Sequence, residues 1–146
     1  MNREIMHRIL WVLRDPGMGY RRFILHQTDC YRHAGKIDEV LAVYGTGGVI
    51  QPGTEETRKL LPEEYRREEF ITVYCHSPIT PGRDLDKTHF RAADVIDPYD
   101  GTYWRVVSVR EWGKFPEAYW EAQAVRTDEN PWDKRKEKRN HEGDDL

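Results

Sequence analysis

The sequence predicts a mainly β fold: a small antiparallel β-barrel of about six or seven strands, with a short N-terminal helix and a flexible C-terminal tail. Three observations predict it. From Tyr20 to Arg126, apolar residues alternate with polar ones along stretches rich in Val, Ile, Tyr and Phe, broken by Gly, Pro and Asp. No helical period in that region is long enough to cross over between parallel strands. Finally, Trp 5, Tyr 8 and Phe 4 stand in a chain that is 38 % hydrophobic and 34 % charged, which describes a small aromatic core under a charged exterior.

The chain of 146 residues and 17.4 kDa has the size of one domain. Its mean hydropathy of -0.87 would suit a disordered protein if aromatics were scarce, and they are not. No stretch approaches the roughly 18 apolar residues of a membrane span, so no membrane partner is expected. Ile5 to Leu13 is interrupted by His7 and Arg8 and no small-residue cleavage site follows, which points away from a signal peptide and toward the cytoplasm. Cys30 and Cys75 lie in separate segments without a C-x-x-C spacing and are expected to be reduced thiols.

The elements follow in order. Over residues 1–19, Ile5, Met6, Ile9, Leu10, Trp11 and Leu13 recur at three- and four-residue spacing, the pattern of an amphipathic helical arm that Asp15, Pro16 and Gly17 end. Its apolar side covers either the domain's own core or a neighbouring subunit. Residues 20–127 form the barrel. Tyr20 to Thr28 alternates, with Phe23 and Leu25 on one face and Arg22 and His26 on the other. Glu39 to Tyr44 reads as a short strand, Gly45 to Gly48 as a glycine-rich turn, and Val49 to Gln51 as a continuation. Phe70 to Cys75 puts Ile71, Val73 and Cys75 on one face. Ala92 to Ile96 and Thr102 to Trp112 make a hairpin around Asp97, Pro98, Tyr99, Asp100 and Gly101. Ala118 to Arg126 completes a meander, with Ala118, Ala122 and Ala124 sharing a face with Trp120. Two stretches fall outside: Thr54 to Glu69, too long for a tight hairpin, and residues 128–146, almost wholly charged after Trp132 and expected to be disordered.

Charge is unevenly spread. Residues 1–36 hold seven basic and three acidic side chains, net +4, and residues 37–100 hold seven and thirteen, net -6. Basic residues are dispersed instead of clustered in a stripe, which disfavours specific DNA or RNA readout.

Catalytic and metal chemistry find little support. His26, Cys30 and His33, with Cys75 and His76, match no standard zinc spacing. Asp94, Asp97 and Asp100 end in Gly101, but a calcium loop needs acids at spacing two and a Glu at the twelfth position, where Arg105 stands; a hairpin turn explains all three. Asp84 and Asp86 fall in an ordinary solvated loop, Ser77 and Ser108 lack a patterned His and Asp, and the glycine cluster lacks the Gly-Lys-Ser/Thr of a phosphate loop. No enzyme, catalytic residue, metal site or cofactor is expected.

A resemblance is more specific. Val49, Ile50, Gln51, Pro52 and Gly53, then Leu60, Leu61, Pro62, Glu63 and Arg66, then Phe70, Ile71, Thr72, Val73 and Tyr74 stand in that order. They resemble the "V-I-Q-P" strand, "L-P-E-G-x-R" loop and "I-x-I-Y-T" strand of the head-completion, or stopper, proteins of tailed bacteriophages, also called head-closure or head-tail connector proteins. Ala93, Asp94, Val95 and Ile96, then Gly101, Tyr103, Val106 or Val107, Val109 and Trp112 are similar to that family's "A-D-x-I-x-Y-x-G-x-x-Y-x-V-x-x-V-x-x-W" hairpin. Residues 36–126 are covered. Glu64 replaces the family's glycine after "L-P-E", and Cys75 its threonine.

The resemblance implies a structural virion protein of the phage neck: a hexameric or dodecameric ring between the portal or adaptor ring and the tail terminator or tail tube. It would close the DNA-filled head, let viral DNA pass without sequence-specific contact, and assemble in the host cytoplasm. In this setting Glu55, Glu56, Leu60, Leu61, Pro62, Glu63 and Glu64 are expected to project into the channel or toward the next ring, with the four Glu repelling phosphates. Trp11 and Trp132, aromatic in polar segments, are expected to anchor on a neighbouring ring. The alternative is a small β-barrel nucleic-acid-binding module, with Tyr103, Trp104 and Arg105 on a stacking face.

Overall fold

The computed structural model describes residues 19–113 and 118–144. The chain is mainly β. Its eight strands are β1 (Tyr20–His33), β2 (Lys36–Pro52), β3 (Phe70–Cys75), β4 (Arg83–Asp84), β5 (His89–Arg91), β6 (Val95–Asp97), β7 (Tyr103–Trp112) and β8 (Tyr119–Thr127). A one-turn helix α1 (Glu55–Arg58) and a 3-10 turn (Glu63–Tyr65) lie between β2 and β3, and a helix α2 (Pro131–Asp144) follows β8. The expected N-terminal helix and its Trp11 lie outside the described residues. No helix among the described residues is long and apolar enough to cross a membrane.

All strand pairings are antiparallel, in the order β2-β3-β8-β7-β6-β1-β5-β4, and β2 also pairs with β1. That last pairing closes β1, β2, β3, β8, β7 and β6 into a ring of six strands. Side chains alternate across each strand, so the odd residues Phe23, Leu25, Ile71, Val73 and Cys75 point into the ring, where they meet Ile96, Trp104, Val106, Ala122 and Ala124. The alternation predicted for Phe70 to Cys75 is present, with Val73 and Cys75 fully buried. Ala122 and Ala124 leave room for the larger residues of the facing strands, so six strands close around a filled interior. Tyr119 and Val125, on the other face of β8, are buried in satellite clusters with Val49 and with Leu61 and Phe70.

Three local readings need correction. β2 is one continuous strand of 17 residues, and Gly45 to Gly48 run inside it without a turn. Glycine serves there for close approach: a Cβ on Gly48 would lie 2.0 Å from the Tyr74 carbonyl oxygen, and one on Gly47 2.2 Å from the Tyr20 hydroxyl. β1 extends past Thr28 to His33 and turns into β2 at Ala34 and Gly35, whose φ values of 48° and 77° suit a two-residue hairpin turn. The segment expected to be a disordered tail begins as α2. The Asn130 side chain accepts from the Trp132 backbone N–H at 2.9 Å, and Pro131 fills the first helical position, where no N–H is needed. Composition counted the charges of this segment, but the cap and Trp132 start it.

The β1–β2 hairpin outruns the closed ring. Beyond Thr28, β1 leaves β6 and pairs with β5 through Asp29↔Arg91, Cys30↔Phe90 and Tyr31↔His89, and β5 pairs with β4. A four-stranded ribbon therefore projects from one side of the ring.

Candidate functional site

The connector between β2 and β3 is folded, not slack. Thr54 caps α1 by a reciprocal pair: its hydroxyl accepts from the Thr57 N–H at 3.2 Å, and the Thr57 hydroxyl accepts from the Thr54 N–H at 2.9 Å. Leu61 is 2 % exposed and packs with Phe70 and Val125, so it pins the connector to the ring and does not project from it. Arg58 lies over the Phe70 ring at 5.1 Å and donates to the carbonyls of Arg66 at 2.6 Å and Glu68 at 3.2 Å. Arg66 in turn donates to the Leu61 carbonyl at 3.4 Å. Two arginines thus tie the carbonyls of the connector together, while Glu55, Glu56, Glu63 and Glu64 are all exposed. Leu60 and Pro62 are half-buried flanks of the Leu61 anchor. An open depression of about 430 Å³, lined by Ile50, Pro52, Arg58, Phe70 and Trp104, lies beside the connector.

The resemblance residues form a structural frame. Ile50 pairs with Val73, Gln51 with Thr72 and Pro52 with Ile71, so the two family-like strands are adjacent. Ile50 packs on the core, while Gln51 and Pro52 are exposed. Tyr74 packs beside Val49 and Tyr119. Trp112 stacks on Tyr119 with centroids 6.3 Å apart and donates to Glu121 Oε1 at 3.0 Å. Gly101 takes φ 84° in the β6–β7 turn, and Tyr103 begins β7. The stacking face imagined for Tyr103, Trp104 and Arg105 does not form: alternation turns Trp104 inward to 7 % exposure, where its indole donates to Thr102 Oγ1 at 2.8 Å. The Arg105 guanidinium lies instead over Tyr65 of the connector, at 5.7 Å.

A buried polar seam went unread in the sequence: its His26 end lies under α2, and its Gln27 end is on the inner face of β1. Asp97, 2 % exposed at the end of β6, sets its Oδ2 3.2 Å from His26 Nε2 and 2.6 Å from Trp132 Nε1, while its Oδ1 accepts from the Tyr99 N–H at 3.0 Å. The Trp132 ring meets His26 edge-on, centroids 4.6 Å apart and planes at 89°. Trp132, expected to anchor on a neighbour, therefore fastens α2 to its own sheet. Asp94 is fully buried; its Oδ2 accepts from the Thr80 N–H at 3.0 Å and from Gln27 Nε2 at 3.3 Å, and Arg91 donates to Gln27 Oε1. The hairpin turn expected to explain three aspartates explains Asp100, which is exposed and accepts from the Thr102 N–H at 3.0 Å, and one of the bonds of Asp97, but not Asp94.

Burial sets the protonation of this seam. It lowers the His26 pKa below 6.5, outweighing the Asp97 contact that raises it, and Arg135 on α2 lowers it further. The imidazole is then neutral with its proton on Nε2 toward Asp97, leaving Nδ1 without a hydrogen-bond partner among the described residues. Burial pushes Asp94 up to about 6 against the bonds from Thr80 and Gln27. Cys75 is pushed up to about 12 by burial, and Cys30 is raised as well, so both thiols stay protonated at neutral pH. Asp86 is exposed and held below the usual range by the Thr88 and His89 N–H groups, the work of a turn acid. Among the described residues no three His, Cys, Asp or Glu side chains gather as a metal site. A cleft of about 490 Å³ between α2 and the β1–β2 hairpin is lined by His26, Leu41, Arg105, Asn130 and Arg135 among others.

Only adjacency in the fold makes the seam, since Gln27 and Asp94 are 67 positions apart and His26 and Asp97 are 71 apart. The one local sign was Asp94 and Asp97 bracketing the apolar Val95 and Ile96. Comparison of the chain with protein-family models, with curated proteins and with solved structures gives no match.

Proposed function

We propose that this chain is a head-completion subunit of a tailed phage: a small β-barrel that assembles as a ring beneath the portal or adaptor, closes the DNA-filled head and offers a platform to the tail. The observation that carries the reading is the sector from β2 through the connector to β3. There the family-like strands are hydrogen-bonded neighbours, Ile50↔Val73 and Gln51↔Thr72, and the residues between them fold into a cap pinned by Leu61 with four glutamates outward. A ring with head-to-tail contacts needs two different complementary patches. The net +4 of residues 1–36 and the net -6 of residues 37–100 supply opposite charge for them. A rigid cap that presents Glu55, Glu56, Glu63 and Glu64 toward a channel repels the phosphate backbone, so DNA slides without sticking.

The test is the mass and image of the particle formed with portal and adaptor rings. A closed ring of this chain on the portal side, with the connector facing the channel or the next ring, supports the reading. A chain that neither associates with portal rings nor appears in the virion neck overturns it.

A further inference from the structure

β2 has two strand neighbours over only part of its length. It pairs with β1 from Lys36 to Val49 but with β3 only from Gly48 to Pro52, and no backbone hydrogen bond reaches the outer side of Val40 to Gly47 among the described residues. In an antiparallel pair, every second residue turns both its N–H and its C=O away from the partner. Such an edge recruits another strand unless charge, proline, a bulge or shortness blunts it. The other free edges are blunted: β4 is two residues long, and β7 beyond Arg105 carries a register shift at Val106/Ser108 and exposed Arg110 and Glu111. β2 is not. The β1–β2 register is unbroken, and Val40, Leu41, Ala42, Val43, Tyr44 and Gly45 contain neither charge nor proline. Val40 and Tyr44, on the same face, are each 52 % exposed.

We infer that this edge is a homotypic docking site, where a second copy of the chain adds its own β2 antiparallel across a two-fold axis and joins the two projecting ribbons into one sheet. A dyad normal to the sheet sets residues of one face opposite each other, so the numbers of each pair add to an even value. Centred on Ala42, the register puts Val40 opposite the partner's Tyr44 and Leu41 opposite the partner's Val43. Both half-exposed side chains then gain an aliphatic–aromatic cross-strand neighbour, twice by symmetry. Charge agrees with this register, because Asp38 and Glu39 fall opposite Thr46 and Gly45 and no like charges oppose one another. Thr46 is tied to Ser77, hydroxyl to hydroxyl at 2.6 Å, which ends the pairing there. The contact is independent of the ring reading: it uses a backbone edge and leaves the acidic connector free.

Sedimentation equilibrium of the full chain over a hundredfold concentration range tests it, with three samples: wild type, Val40→Lys with Tyr44→Lys, and Val40→Glu with Tyr44→Glu. Both sites are exposed, so each double variant keeps the wild-type circular dichroism. Wild type is expected to dimerise. Each double variant should associate at least about tenfold more weakly, because like charges then stand opposite, and an equimolar mixture of the two should restore the dimer through Lys–Glu pairs. A wild type that stays monomeric, or a lysine variant that dimerises as wild type does, overturns the inference. Loss of portal association with dimerisation retained overturns the ring reading and leaves this inference standing.

Discussion

Asp94→Asn separates a charge in a dry site from everything else that titrates. Asp94 is fully buried at the inner end of the seam, its Oδ2 held by Thr80 and Gln27 and its Oδ1 without a partner among the described residues. Burial raises its pKa from 3.8 to about 6. An acid raised on folding contributes stability that is fully present below 3.8 and lost as the pH climbs through about 6. At 1.36 kcal/mol for each tenfold change in proton affinity, that rise amounts to about 3 kcal/mol in full, of which about 2.5 kcal/mol falls between pH 4 and pH 7.5. Asparagine keeps an oxygen for Thr80 and Gln27 but has nothing to ionise. Its amide nitrogen is left unpaired where Oδ1 stood, which costs about 1–3 kcal/mol. At pH 7.5 the variant is therefore level with wild type or above it, and at pH 4 it is below. Urea unfolding of both proteins across this range measures the effect directly, since every other group titrates alike in the two and cancels. The gap should change by about 2.5 kcal/mol, or about 5–10 °C in melting temperature for a chain of this size. Parallel pH curves would refute the claim that folding carries an ionised carboxylate into this site.

Four further outcomes follow from the contacts and the charges. Trp132→Phe keeps the ring beside His26 but removes the bond to Asp97, which should cost about 1.5–3 kcal/mol of α2 docking and read out as faster hydrogen exchange along α2. Because His26 is lowered below 6.5, α2 docking is at full strength above pH 6.5 and weakens as the pH falls toward the folded value; His26→Gln should flatten that part of the exchange profile. Gly48→Ala forces a Cβ within 2.0 Å of the Tyr74 carbonyl and should destabilise by about 1–3 kcal/mol or more, whereas Gly45→Ala, with nothing within 4 Å, should fold as wild type does in the same thermal melts. Reversing Glu55, Glu56, Glu63 and Glu64 to Lys changes exposed sites only, so the melt should stay near wild type while DNA release from assembled particles slows; faster release with intact assembly would sink the channel role.

What the sequence shows and hides divides along the range of the interactions. The inward face of β3 was legible because Ile71, Val73 and Cys75 announce a period of two that needs no distant partner to interpret. Gly47 and Gly48 were misread because glycine serves both turns and close approaches, and what tells them apart is the Tyr20 hydroxyl and the Tyr74 carbonyl, which the fold brings from elsewhere. The alternation that sends Phe23 and Leu25 inward puts His26 on the opposite face. The alternation holds, but the outer face at that point is covered by Trp132, more than a hundred residues away. The same contact explains why α2 escaped the compositional argument. A charged segment is expected to stay unfolded because it cannot bury enough surface for itself, yet one tryptophan with a carboxylate waiting for its N–H fastens the segment to a sheet that is already built. Asp97 is thus the point where β1, the β6–β7 turn and α2 meet, and a carboxylate that bonds all three at once ties the helix's attachment to the protonation of the imidazole beside it.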